Sequence, residues 1–224
     1  VGLIVVAGGR SRRWGGVDKT AQLLAERPVL VHTLSGAIDG LIDGDAAADG
    51  MSVPVVVVAP AGHPARSAAH ALRPDLGWTF EHPSGGGPAA GLAAGLRLLR
   101  RPDDDAPGLV VVLAGDMPFA GTAIPRLLAA LADGGGGGGA DAAVGTDPDG
   151  VRQPLLALYR TAPLAAALAA LPATDASMRA VLAHLRVIEV AITAREAFDL
   201  DTPEHLRLAA ATISRRDSTE QPEG

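Results

Sequence analysis

Cysteine is absent from this chain, and Phe, Trp and Tyr together make up only 3% of its 224 residues. Without cysteine there is no disulfide scaffold and no thiolate metal site, which fits a cytoplasmic setting. So few aromatic rings provide no stacking platform for single-stranded nucleic acid. Positive charge is also in the minority: 19 Lys+Arg against 25 Asp+Glu give a net charge of −6. That balance argues against sequence-independent DNA binding, so no nucleic-acid partner is expected. No apolar stretch approaches the ~20 residues of a membrane span. The start of the chain has no basic segment ahead of an apolar run and no cleavage site, so neither a signal peptide nor membrane attachment is expected. The six His are scattered without a zinc spacing such as H-E-x-x-H, and the G-x-S-x-G of a serine nucleophile is missing.

What is present is aliphatic. Apolar residues reach 48%, mostly Ala, Leu and Val. Runs of strand length recur at Leu3–Ala7, Val53–Ala59 and Leu109–Ala114. They do not alternate, so both faces of each are buried, as in a parallel sheet. Helical spacing fills the gaps at Pro28–Ile38, His63–Leu72 and Pro88–Leu99, with a short strand at Trp78–Glu81. This rhythm predicts an α/β fold: one doubly wound, mostly parallel sheet flanked by helices. Further on, helices are expected at Ile124–Leu131, Pro163–Leu171, Ser177–Leu185 and Glu204–Ala211, and strands at Ala140–Gly145, Pro154–Tyr159 and Val187–Ala191. The six glycines Gly134–Gly139 read as a flexible surface insertion. No repeat or linker divides the chain, so residues 1–212 read as one domain and 213–224 as a polar, disordered tail.

Four glycines and four cations follow the first strand, in "AGGRSRRWGGVDK". Neither the P-loop pattern nor G-x-G-x-x-G fits it. The physical logic survives both failures. A strand delivers the chain to the sheet edge where ligands bind, and glycines let backbone N–H groups approach a phosphate. Arg10, Arg12, Arg13 and Lys19 can then neutralise its oxygens. A nucleoside triphosphate answers that description; the alternative is a solvated basic loop. Three more stretches have chemical content. "HPSGGGPAAG" is a turn opening a helix. "LVVVLAGDMPF" puts Asp116 at the end of a buried strand, as a ligand for a hard cation or as a turn or cap residue. In "FDLDTPEHL", Asp199 and Asp201 fall on one side of an extended segment, and Thr202-Pro203-Glu204 opens a helix.

The pattern A-G-G-x-S-x-R-x-G-G-x-D-K, carried by Ala7, Gly8, Gly9, Ser11, Arg13, Gly15, Gly16, Asp18 and Lys19, resembles the signature of the molybdenum cofactor guanylyltransferases. These form a branch of the nucleotidylyltransferase superfamily, with a Rossmann-like fold. Val6 and Trp14 stand where family members usually carry Leu and Met. The resemblance extends to G-P-x-A-G at Gly87–Gly91, D-x-P at Asp116, D-x-D-T-P at Asp199–Pro203, and the segment "RQPLLALYR", Arg152–Arg160, placed near the pterin-bearing substrate. It implies catalytic roles for Arg13, Lys19 and Asp116, with the first two on the triphosphate. Nucleotide contacts would come from Val6, Ala7, Gly8, Gly9, Lys19, His82, Gly87, Gly91 and Asp116, His82 replacing an Asp of many relatives. Mg²⁺ would be held by Asp116 and Asp201.

The reaction so implied transfers GMP from GTP to molybdopterin and releases pyrophosphate, with enzymes of Mo-cofactor biosynthesis or acceptor enzymes as protein partners. Two anions must be brought together, so charge neutralisation and in-line positioning are the chief tasks. "RPVLVHTL" also resembles a segment of the methylerythritol phosphate cytidylyltransferases. A cytidylyltransferase acting on that acceptor or on molybdopterin is therefore the first alternative. A non-catalytic nucleotide-binding regulator is the second.

Overall fold

The apolar runs become neighbouring strands of one sheet, covered on both faces. A computed structural model describes residues 1–8, 14–44, 53–81, 85–100, 107–134, 139–172, 174 and 176–219, with side chains to residue 213. In chain order the elements are β1 (Gly2–Val6), β2 (Leu23–Leu24), β3 (Arg27–Pro28), α1 (Val29–Asp43), β4 (Val55–Val58), α2 (Arg66–Leu72), β5 (Gly77–Thr79), α3 (Pro88–Leu99), β6 (Leu109–Ala114), α4 (Ile124–Asp133), β7 (Ala142–Thr146), β8 (Arg152–Arg160), α5 (Thr161–Ala169), α6 (Met178–Leu182), β9 (Val187–Ala191) and α7 (Pro203–Thr219). Single 3-10 turns occupy Lys19–Ala21 and Ala120–Ala123.

The sheet runs β5-β4-β1-β6-β8-β7-β9. Leu3 pairs with Val55 on one side and Val111 on the other, both in parallel. β8 alone runs against its neighbours β6 and β7, so the sheet is mostly parallel, as expected. The strand residues split by parity. Leu3, Val5, Val111 and Leu113 meet Leu30 and Leu34 of α1 and Leu127 of α4. Ile4, Val6, Val110 and Val112 meet Leu92 and Leu96 of α3, Leu164 of α5 and Val181 of α6. Two buried faces require strands that are apolar at every position, which explains the missing alternation.

Several boundaries differ from expectation. α1 continues to Asp43, past Ile38, and α7 continues to Thr219, past Ala211, so the tail expected from residue 213 is helical at its start. Residues 220–224 lie outside the described residues, as do 135–138 of the glycine run. The small β2–β3 hairpin was not anticipated. Its turn places Ala25 and Glu26 at φ 45° and 65°, a conformation usually signalled by Asn-Gly. Among the described residues no helix is long and apolar enough to cross a membrane.

α1 and the 3-10 turn behind Asp116 touch backbone to backbone. A Cβ at Gly121 would come within 2.0 Å of the Gly36 carbonyl oxygen, and one at Gly40 within 2.2 Å of the Gly121 oxygen. Neither obstacle is a movable side chain. Gly121→Ala should therefore lower unfolding stability by ~1–3 kcal/mol, the usual cost of overpacking, as measured by urea denaturation. A wild-type midpoint in that variant would show that the helix can slide.

Candidate active site

The order β5-β4-β1-β6 reverses direction between β1 and β6, and open α/β sheets bind ligands in the crevice beyond such a point. Two chain segments arrive there together. Ala7 still donates its N–H to the Val58 oxygen at 2.8 Å before the backbone leaves β1. Gly115, just past β6, donates to the Val6 oxygen at 2.8 Å, and Asp116 follows it into the crevice. The crevice opens into a cleft of about 1120 Å³. Val6, Ala7, Gly8, Lys19, Gly87, Gly91, Asp116 and Asp201 all border it. Gly9, Arg13 and His82, like Arg10, Ser11 and Arg12, lie outside the described residues.

Lys19 is aimed by its neighbours. The Asp18 carboxylate caps the 3-10 turn, accepting from Thr20 N–H at 2.9 Å and from the Thr20 hydroxyl at 2.7 Å. Withdrawal from water pushes the Asp18 carboxyl up, but hydrogen bonds from His63 and Thr20 outweigh it and hold the group below its ordinary range. From this turn the Lys19 ammonium reaches across to the Asp116 carboxylate and to Asp201 Oδ1, the latter at 2.8 Å. Burial works against that charge, yet Asp116 and then Asp201 overcome it, so the Lys19 pKa is raised.

Asp116, Asp199 and Asp201 each offer a carboxylate oxygen, all within 4.8 Å of one another. The Leu200 N–H donates to the Asp116 carbonyl at 3.1 Å, joining the two acidic segments through the backbone. The Trp14 indole N–H donates to the Leu200 carbonyl at 3.2 Å, which ties in the end of the glycine-rich loop. Thr202 Oγ1 caps α7 by accepting from His205 N–H at 3.3 Å, so the helix start fixes where Asp201 stands. Asp199 is the most open of the three. Lost hydration at the cleft wall, and then the charges of Asp201 and Asp116, push its carboxyl above the ordinary range. Carboxylates that repel one another in this way form an oxygen-only donor set suited to a hard divalent cation.

Gly87, at φ 89°, turns the chain into Pro88, the first residue of α3, and both border the cleft. This is the turn expected from the sequence. Glu81, one residue before His82, brings a carboxylate to the same edge and accepts from Gly85 N–H at 2.7 Å. The largely exposed Phe80, next to Glu81, borders the cleft on this side, and across it the start of β8 contributes Gln153, Pro154 and Leu155, with Met178 also in the lining. Both ends of β8 are charged: Arg152 pairs with Glu189, and Arg160 donates to the Ala140 carbonyl at 2.9 Å.

Sequence reasoning left Asp199 without a role beyond its shared side with Asp201, and it overlooked His63, Glu81 and Met178. Alternation along "FDLD" was the available signal for Asp199. His63 and Met178 come from segments whose position depends on the tertiary fold, and nothing local marks them.

Residues 3–190 match the family model described as the MobA-like NTP transferase domain. A molybdenum cofactor guanylyltransferase of Burkholderia lata is 34% identical over 205 residues, covering 87% of each chain. The solved structure of molybdopterin-guanine dinucleotide biosynthesis protein A from Archaeoglobus fulgidus superposes with a TM-score of 0.61 at 24% identity, covering 96% of this chain and all of that one. A 2-C-methyl-D-erythritol 4-phosphate cytidylyltransferase of Dehalococcoides mccartyi is 60% identical over 35 residues, 16% of this chain and 15% of its own.

Proposed function

The chain belongs to the MobA-like NTP transferase family, and from that premise we propose that this nucleotidyltransferase transfers GMP from GTP to the terminal phosphate of molybdopterin, releasing pyrophosphate. The observation that supports this reading best is the meeting of Lys19 with Asp116 and Asp201 at the switch point of the sheet. One cation and a set of carboxylates, joined across the crevice, suit a polyphosphate that brings a divalent ion with it. The cleft also exceeds the ~300–1,000 Å³ of an ordinary small-ligand pocket, leaving room for a nucleotide and a second substrate.

In this reading the N–H groups after β1 and the Lys19 ammonium cradle the triphosphate, a role that Arg13 shares. Asp116 and Asp201, joined by Asp199, would hold Mg²⁺, whose chemistry there would be to neutralise phosphate oxygens. The turn at Gly87 faces the base and ribose. The apolar wall of Pro154, Leu155 and Met178 faces the pterin. The molybdopterin phosphate is already ionised, so attack on the α-phosphorus needs no strong base and forms no covalent enzyme intermediate. The protein's work is to hold two anions in line and cancel their repulsion.

Cytidylyl transfer is the second reading, favoured by the short stretch shared with the erythritol phosphate enzyme. Pyrophosphate release with each of the four NTPs, Mg²⁺ and molybdopterin separates the two. Thermal stabilisation gives an independent check. GTP with Mg²⁺ at ~100 times its Kd should add ~2.7 kcal/mol, and CTP at the same concentration clearly less. Equal or greater stabilisation by CTP would transfer the protein to the cytidylyl branch.

A further inference from the structure

His63 lies between β4 and α2, outside every motif discussed above, and its side chain is fully withdrawn from solvent. Its Nδ1 accepts the Ala65 N–H at 3.1 Å, which leaves the ring proton on Nε2. Nε2 faces Thr20 Oγ1 at 2.8 Å and Asp18 Oδ2 at 3.1 Å. The Thr20 hydroxyl spends its own proton on Asp18 Oδ1, so it can accept from the imidazole. The pattern closes: one ring N–H serves the two residues on either side of Lys19. Trp78, 5.8 Å away between ring centroids, packs against the imidazole and limits its movement.

We propose that His63 is a positioning residue for nucleotidyl transfer, acting through Asp18 and Thr20 to hold the Lys19 turn against the β4 edge of the sheet. This rests on the reading that Lys19 meets the phosphates. Lys19 is a long, flexible side chain, and its reach is only as well defined as the backbone it starts from. Asp18 and Thr20 already bond to each other, which shapes the turn but does not locate it relative to the sheet. The imidazole supplies that location, because it is anchored on the neighbouring strand's loop.

The test is a mutant cycle with Lys19. His63→Leu fills the space without a donor, whereas the amide of His63→Gln can place a donor near the position of Nε2. With Lys19 present, His63→Leu should lower kcat/KM for the preferred NTP by ~10–100-fold, the scale on which misplaced groups act. In a Lys19→Ala background the same change should cost less than ~3-fold, because a residue acting through Lys19 has nothing left to position. His63→Gln should recover most of the loss. Equal losses in both backgrounds, no recovery with Gln, or no loss with Leu would each overturn the proposal. Should His63→Leu fail to fold, Thr20→Val interrupts the same bridge at similar volume and enters the same cycle. The cycle is also read as nucleotide Kd by calorimetry. Absence of turnover would then count against the transferase reading, while the binding cycle still decides the role of His63.

Discussion

Asp116→Asn should lower pyrophosphate release by at least ~10²–10³-fold, the usual cost of losing one preorganised electrostatic contact at a transition state. The substitution is nearly isosteric and removes only charge. Asp116 is 8% exposed, and its backbone carbonyl accepts from Leu200 N–H whether or not the side chain is ionised. The fold around it should therefore persist, as a thermal melt would verify. What changes is the neighbourhood of Lys19, Asp199 and Asp201. The ammonium loses one of its two carboxylate partners, and the oxygen donor set loses a full charge. In the proposed reaction negative charge builds on the leaving pyrophosphate as the bond to the α-phosphorus breaks, so the deficit would be felt most then. Nucleotide binding measured without divalent ion should weaken far less than turnover. Near wild-type turnover in a folded Asp116→Asn variant would return this residue to the turn-forming role that its place after β6 also allows.

Lys19→Ala should show a different signature, weakening nucleotide binding and turnover together. In the proposed function its ammonium meets the phosphates in the ground state and the transition state alike, so its loss would appear in Kd as well as kcat/KM. A charge-assisted hydrogen bond contributes ~1.5–3 kcal/mol, which corresponds to ~10–100-fold in affinity. The free protein offers a second readout. The Lys19 ammonium is bonded to both Asp116 and Asp201. Removing it leaves those carboxylates and Asp199 facing one another without that compensation. The melting temperature of Lys19→Ala should fall in chelator-treated buffer and recover on adding Mg²⁺ more than the wild type does. A variant whose melting is indifferent to both treatments would mean that the three carboxylates are too well hydrated to interact.

The parallel half of the sheet was legible because its strands are buried on both faces, and Pro88–Leu99 matched α3 end to end because Gly87-Pro88 marks its start so plainly. Asp116 could be placed at the ligand edge from the run before it, since a buried strand in a doubly wound sheet points its carboxyl end there. The β2–β3 hairpin was not legible: Ala25-Glu26 adopts positive φ without the residues that advertise it. Nor was the partnership of Lys19 with Asp201, 182 positions along the chain, or the meeting of His63 with Thr20. Such contacts follow from strand order, and no local pattern encodes that order.

The reversed direction of β8 has a consequence for how the two walls of the cleft are made. Every other strand of the large sheet points its carboxyl end to the ligand edge, whereas β8 presents its amino end, Arg152 to Leu155. β7 reaches the same edge from the opposite direction, ending at Thr146, so the wall beyond β6, Gln153 to Leu155, lies just past the tip of a hairpin. That tip, held by Asp147 N–H to the Val151 oxygen at 3.0 Å, shares no strand with the glycine-rich loop. The ladder shifts register between Val144 and Gly145, just before the turn. A hairpin can gain or lose residues, or move its bulge, without disturbing the strands whose ends lead to Lys19 and Asp116. The architecture is modular: under the proposed function, the half that carries Lys19 and Asp116 would keep the triphosphate chemistry while the hairpin half is retailored to a different acceptor.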